Sequence, residues 1–147
     1  MLNIEVVAKS EDHPITPRKR VLSSLTKVEL HAIADAAGRG DVDAIASSVD
    51  FIEHESIAYW HGRARVLMCR RLRHAALTPD QSRRVVAAVL RRLREGTIYE
   101  GFRDQLRAAL TLDRETTLEA ARAALADRRP YVRRHAAWVL SRPEPGP

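Results

Sequence analysis

The sequence has few of the residues from which sites of chemistry are usually built. Cys69 is its one cysteine, which excludes an internal disulfide framework and a zinc site made of several cysteines. No Gly-rich phosphate loop, paired-carboxylate signature or nucleophile elbow occurs. No apolar run approaches the ~20 residues of a membrane-spanning helix, and the first residues turn polar and acidic too early for a secretory signal. We therefore expect a protein of a bacterial-type cytoplasm with no catalytic residues, no metal, no cofactor and no membrane partner.

Aromatic residues make up only 5% of the chain, and lysine is rare, so that arginine carries most of the positive charge. The net charge of +6 is unevenly distributed. Residues 1–55 hold 6 basic and 10 acidic side chains, whereas residues 56–147 hold 19 basic and 9 acidic ones. Within residues 56–94, ten arginines accompany a single acid, Asp80. This asymmetry favours an acidic or polyanionic partner, although a genome rich in G and C would also produce an arginine-rich composition.

Apolar residues recur at helical spacing, and Ala, Leu, Val and Arg dominate, which predicts an all-α fold. The chain of 147 residues is long enough for one domain with a sizeable core. We expect a short arm over residues 1–15, a single helical domain over 16–142 and a flexible tail over 143–147. Caps, prolines and glycines predict helices over 16–38 with an interruption near Thr26, and over 41–54, 56–77, 79–95, 98–110, 114–126 and 130–142.

The last six of these helices form three pairs with short connections, which predicts antiparallel neighbours. The second helix of each pair begins near a shared phrase, an acidic residue followed four positions later by a tyrosine. The phrase occurs at Glu55 and Tyr59, at Glu95 and Tyr99, and at Asp127 and Tyr131. The distance along the chain from one phrase to the next is typical of helical arrays, in which each pair of helices buries its apolar side against the next pair.

One segment resembles a known family. The phrase Asp127-x-x-Pro130-x-Val132-Arg133-x-x-Ala136-Ala137-x-x-Leu140 resembles the second helix of a HEAT repeat. The resemblance is clearest over residues 127–140, and it implies a short α-α superhelix of about three HEAT-like helix pairs with an N-terminal helical cap. It also implies a structural ion pair between Asp127 and Arg133. The earlier pairs carry His61 and Gly101 where Arg133 stands, so we do not expect a long regular solenoid.

We expect the second helices of the three pairs to form one docking wall. Its predicted partner-binding residues are Arg63, Arg70, Arg103, Arg107 and Arg134, around apolar or aromatic anchors. We expect Trp60 and Trp138 to be packing residues; the alternative is that a tryptophan exposed on a groove wall is a binding anchor. The sequence shows no nucleic-acid motif. We therefore predict a non-catalytic adaptor that binds an acidic protein partner. The alternative is a nucleic-acid-associated protein that contacts phosphates through the same arginines. The family resemblance also implies two further alternative functions, a DNA glycosylase and a lyase-like chaperone.

A second set of arginines lies on the predicted helix 79–95. Arg84, Arg91 and Arg94 face away from its apolar side, and Arg83 lies at the border. They belong either to the same basic surface or to a solvated face without a partner.

Arg71 falls on the predicted apolar side of helix 56–77, where an unpartnered charge would cost several kcal/mol. We therefore predict a structural ion pair with an internal carboxylate from Glu53, Glu55 or Asp104; the alternative is contact with a ligand in a groove. Cys69 lies four residues from two arginines, an arrangement that would activate an exposed thiol. We favour a buried, inert thiol. His54 and His61 lack the spacing of a helical zinc site.

Overall fold

The computed structural model describes residues 24–55 and 59–145. Over these residues the protein is all-helical, with seven helices and no strand, which confirms the predicted class. The helices are α1 Lys27–Gly38, α2 Val42–Glu53, α3 Tyr59–Leu72, α4 Pro79–Glu95, α5 Phe102–Leu112, α6 Arg114–Ala124 and α7 Pro130–Leu140. The predicted arm over 1–15, the helix start at Thr16-Pro17 and the Ser56 cap lie outside the described residues.

Several helix ends are set by local signals, as predicted. Thr26 and Glu29 form a reciprocal capping box that starts α1, so a helix begins directly after the position near which a break was predicted. The Asp41 carboxylate accepts from the Ala44 backbone N–H at 2.8 Å and starts α2. Thr78 starts α4 in the same way as Thr26. Gly96, with φ of 77°, ends α4 in the left-handed conformation that glycine tolerates best.

Two predicted boundaries were wrong. Helix α5 begins at Phe102 rather than at residue 98, because Gly101 adopts a φ of 86° and breaks the helical path. This glycine also brings the loop against α3, since a Cβ there would lie 2.6 Å from Val66 Cγ2. Helix α3 ends at Leu72 rather than near 77. The chain leaves the helix there through a turn, in which the Ala75 backbone N–H donates to the Leu72 carbonyl at 3.1 Å.

The helices contact one another beyond their neighbours in the chain. Helix α1 packs on both α2 and α3, α2 contacts α4, and α4 contacts α6. Helix α3 contacts α5, and α5 contacts α7. One cluster of buried apolar side chains includes members from all seven helices, among them Leu30, Phe51, Met68, Val89, Leu106, Ala121 and Val132. Neighbouring helices therefore share one continuous core. Among the described helices, none has the length and apolar character to cross a membrane.

Candidate functional site: an arginine strip and a cleft with buried arginines

Asp104, in the first turn of α5, holds two of the predicted binding arginines. Its Oδ2 lies 3.0 Å from Arg70 Nη2 on α3, and its Oδ1 lies 3.2 Å from Arg107 Nη1 on α5. The Asp104 side chain is only 16% exposed, whereas both arginines reach well into solvent. The carboxylate therefore orients two guanidinium groups and leaves part of each free to meet a partner.

Trp138, on α7, lies next to three arginines and also orients them. The guanidinium carbons of Arg103, Arg107 and Arg142 lie 5.1, 5.1 and 4.7 Å from the centroid of its ring. These distances are within the roughly 6 Å range of cation–π attraction. The indole itself packs against the core. A single ring thus gathers cations from α5 and from the end of α7.

We call the side chains of Arg70, Arg103, Arg107 and Arg142, together with Asp104 and Trp138, the arginine strip. The structure brings three of the five predicted binding residues into it. Arg63 lies outside the strip, two turns before Arg70 on α3, and Arg134 is exposed one turn before Trp138. Arg142 was missed by the sequence reasoning. Its position four residues after Trp138 was the available signal, because that spacing places two side chains on one helix face.

The prediction of a buried Arg71 was wrong. Arg71 is exposed, and its Nη2 lies 3.0 Å from Asp35 Oδ1 on α1 rather than near any of the three predicted carboxylates. The apolar side of α3 had been placed at the wrong angle around the helix. Its buried side is occupied by His61, Ala64, Arg65, Met68, Cys69 and Leu72. Helix α3 therefore does bury an arginine, but that arginine is Arg65.

The implied ion pair between Asp127 and Arg133 is not the one that forms. The Asp127 carboxylate binds Arg129, with 2.9 Å between Oδ1 and Nε, and this hydrogen bonding lowers the pKa of Asp127 far below its ordinary range. Arg133 instead donates from Nη1 to the backbone carbonyls of Asp127 and Arg128. Arg129 also donates to the carbonyls of Arg94 and Glu95, so it ties the turn before α7 to the end of α4.

The arginines of α4 form ion pairs with different acidic residues of the protein. Arg84 is bound by Asp50 and Glu53 of α2, and these hydrogen bonds raise its pKa. Arg91 Nη2 lies 2.6 Å from Glu55 Oε2. Most of the basic surface predicted on this helix is therefore engaged with the protein itself.

A cleft of about 940 Å³ opens next to the strip, and Arg63 and Arg70 line it. Its wall also contains Arg65 and Arg92, which are only 5% and 3% exposed. Arg92 donates to Gln105 Oε1 at 3.2 Å and to the backbone carbonyl of Ile52, and it forms an ion pair with Glu55 at 3.0 Å. The Arg65 guanidinium lies over the Phe51 ring, 5.5 Å from its centroid. Sequence reasoning missed both buried arginines as site residues.

Burial and mutual repulsion act on the charges in this cleft. Desolvation, followed by the charge of Arg92, lowers the pKa of Arg65 to about 10. Desolvation alone would raise the pKa of Glu55, but the charges and hydrogen bond of Arg92 and Arg91 outweigh it and lower that pKa. The half-exposed Glu55 carboxylate is therefore held ionised among several cations.

Two further side chains that the sequence analysis singled out, Cys69 and His61, are buried. Cys69 is fully buried, as expected, and desolvation raises the pKa of its thiol to about 12. His61 makes an edge contact with Phe51 at 5.2 Å, and its pKa is lowered by desolvation and by the charge of Arg65. In the part of the chain that the structure describes, no three His, Cys, Asp or Glu side chains are grouped to hold a metal ion.

Comparison with protein-family models, with curated proteins and with solved structures finds no match to this chain. The HEAT-like character of residues 127–140 therefore stays a prediction.

Proposed function

We propose that this protein is a non-catalytic adaptor that binds an acidic protein segment along the arginine strip. The observation that carries the proposal is that one carboxylate and one aromatic ring orient the arginines of the strip. Asp104 and Trp138 hold four guanidinium groups close together, while Arg70 and Arg103 stay exposed and Arg107 and Arg142 stay partly exposed. Ordering a long side chain on binding costs about 0.5–1.5 kcal/mol. Arginines that are already oriented avoid part of that cost.

In this proposal the helices pair as HEAT-like repeats, α2 with α3, α4 with α5 and α6 with α7, and α1 caps the first pair. The contacts of α3 with α5, and of α5 with α7, support a stack in which the second helices form one wall. The strip runs across all three of these helices. Its residues come from different repeats, so its geometry depends on the stacking.

The chemistry of the strip favours carboxylates of a protein over a nucleic acid. Proteins that bind single strands combine basic grooves with exposed rings on which bases stack. Here the Trp138 ring is already covered by guanidinium groups. Paired guanidinium forks suit the side chains of Asp and Glu, with two parallel hydrogen bonds for each carboxylate.

The test compares two triple variants with equal changes of charge. One removes strip arginines, Arg70→Gln with Arg103→Gln and Arg107→Gln. The control removes exposed arginines elsewhere, Arg39→Gln with Arg94→Gln and Arg122→Gln. Binding of a fluorescent glutamate-rich peptide is followed by anisotropy, and circular dichroism checks that each variant folds. Exposed charge pairs contribute about 0.2–1 kcal/mol each, so we expect roughly 10-fold weaker binding for the strip variant.

Equal losses in the two variants would contradict a dedicated strip, because net charge alone would then explain binding. A labelled DNA duplex of similar charge is titrated in parallel, between about 50 and 200 mM salt. Micromolar DNA affinity with a steep salt dependence, together with weak peptide binding, would replace the proposal by the nucleic-acid alternative.

A further inference from the structure

A hollow of about 690 Å³ continues the arginine strip at the start of α7. Along this helix, Tyr131, His135 and Trp138 are spaced by four and three residues, which places their side chains on one face. Trp138 belongs to the strip, whereas Tyr131 and His135 line the hollow. The strip and the hollow therefore follow each other along the same face of α7.

Arg103, on α5, connects the strip to the hollow. It lines the hollow, and its guanidinium carbon lies 5.1 Å from the centroid of the Trp138 ring. Arg70 and Arg107 share the Asp104 carboxylate, whereas no carboxylate of the residues that the structure describes pairs with the exposed Arg103. A carboxylate of a partner that binds Arg103 would therefore lie at the edge of the hollow.

The walls of the hollow are rich in rings, and their own contacts hold most of these rings in place. Phe102 meets His135 nearly edge-on, with 5.6 Å between ring centroids. The Tyr131 hydroxyl donates to the Gly96 carbonyl at 3.1 Å, and His135 Nδ1 lies 2.9 Å from the Tyr131 carbonyl oxygen. Tyr99 forms a further wall and is 69% exposed. We call Ile98, Tyr99, Phe102, Tyr131 and His135 the aromatic hollow.

We propose that the partner of the arginine strip is an extended acidic segment that carries an aromatic residue about three positions from its acids. The aromatic side chain enters the aromatic hollow, and the acids lie along Arg103, Arg107 and Arg142. Rings favour an aromatic occupant, because ring edges and ring faces attract each other. This inference rests on the proposed adaptor function and specifies the segment that the adaptor binds.

The spacing within the segment follows from the geometry of α7. Seven residues separate Tyr131 from Trp138, a rise of about 10 Å along the helix axis. An extended chain covers about 3.3 Å per residue, so three residues span that distance.

The experiment compares three fluorescent peptides of equal length and charge, whose binding to the full chain is followed by anisotropy. The first has a phenylalanine roughly three positions from a block of glutamates, the second has alanine in its place, and the third has the phenylalanine roughly seven positions from the block. Each is made in both chain directions, and the tighter direction is compared. We expect the first peptide to bind about 10-fold more tightly than the other two, because only it buries an aromatic anchor.

Two variants locate the anchor on the protein. Tyr99→Ala removes a wall of the aromatic hollow, and Trp60→Ala, the matched control, removes an aromatic residue of α3 that is 42% exposed and lies outside the hollow. The advantage of phenylalanine over alanine should fall to about 3-fold in Tyr99→Ala and remain about 10-fold in Trp60→Ala. Circular dichroism checks that both variants fold. In the parent chain, the phenylalanine peptide should also shift the backbone amide NMR signals of residues 98–103 more than the alanine peptide does.

The strip variant with three arginines replaced by glutamine separates this inference from the adaptor function. If that variant binds both peptides more weakly while the parent chain binds the two equally, the adaptor function stands and the aromatic anchor is refuted. If neither peptide depends on the strip, both proposals fall. The anchor is also overturned if phenylalanine at the distant position gives the same gain, if Tyr99→Ala keeps the full advantage, or if the amides of residues 98–103 respond equally to both peptides.

Discussion

Neutralising Arg84 should destabilise the protein far more than neutralising its neighbour Arg83. The Arg84 guanidinium, on α4, reaches two carboxylates of α2: Nη2 lies 2.7 Å from Asp50 Oδ1 and 2.7 Å from Glu53 Oε1, and Nε donates to Glu53 Oε2 at 3.0 Å. Its side chain is 32% exposed. Arg83, at 68% exposed, pairs with Asp80 in the first turn of the same helix.

The expected magnitudes follow from these contacts. Arg84→Gln removes three charge-assisted hydrogen bonds and leaves two partly buried carboxylates close to each other. Bonds to charged groups contribute about 1.5–3 kcal/mol each, and partial exposure together with one bond retained by glutamine reduces the sum to about 2–3 kcal/mol. Arg83→Gln loses an exposed pair within one helix, which is worth about 0–0.5 kcal/mol.

Urea unfolding and thermal unfolding, both followed by circular dichroism, compare the two variants with the parent chain. For a chain of this size, each kcal/mol lowers the Tm by roughly 2–4 °C, so Arg84→Gln should melt about 6 °C below Arg83→Gln. A double-mutant cycle with Asp50→Asn should show coupling of about 1 kcal/mol. If the two single variants unfold within about 0.5 kcal/mol of each other, the bridge between α2 and α4 does not stabilise the fold as argued.

Three further predictions test other parts of the structure. Gly101→Ala should destabilise the protein by about 2 kcal/mol, because φ is 86° and the new Cβ would meet Val66. Gly62→Ala, inside α3 with open space around it, should stabilise the protein by about 0.5–1 kcal/mol. Denaturant unfolding in which both variants changed the free energy of unfolding in the same direction would contradict this. The pKa of His61 is lowered on folding, so the unfolded chain binds its proton first, and the free energy of unfolding should fall as pH decreases from about 7 to 5. The variant His61→Gln should flatten that dependence on pH. An NMR titration that gave the His61 imidazole a pKa at or above the ordinary histidine value would refute this prediction. Cys69 should not react with a disulfide reagent in the native protein at mildly alkaline pH and should react with one equivalent after unfolding, since its pKa is about 12 and it is fully buried; rapid native labelling would disprove this.

The sequence by itself determined where most helices begin and end. The caps at Thr26, Asp41 and Thr78 and the stop at Gly96 act through atoms within four residues of each other, so their signals are complete in the local sequence. The same locality explains why the all-α class could be predicted. The prediction of where α5 begins was wrong because the loop before this helix is shaped by a contact between residues far apart in the chain, Gly101 and Val66 of α3.

Only the tertiary structure decided which arginines are structural, which are buried and which are free to bind. Arg83 and Arg84 are indistinguishable as residue types, yet the partners of Arg84 stand 31 and 34 residues away. Helix α3 packs against α1, α2 and α5, so its buried side is broad, and periodicity placed Arg71 inside it in place of Arg65. The strip likewise depends on Asp104 meeting Arg70 from another helix, 34 residues distant. A charge takes its role from the groups that folding brings to it, and those groups lie far away along the chain.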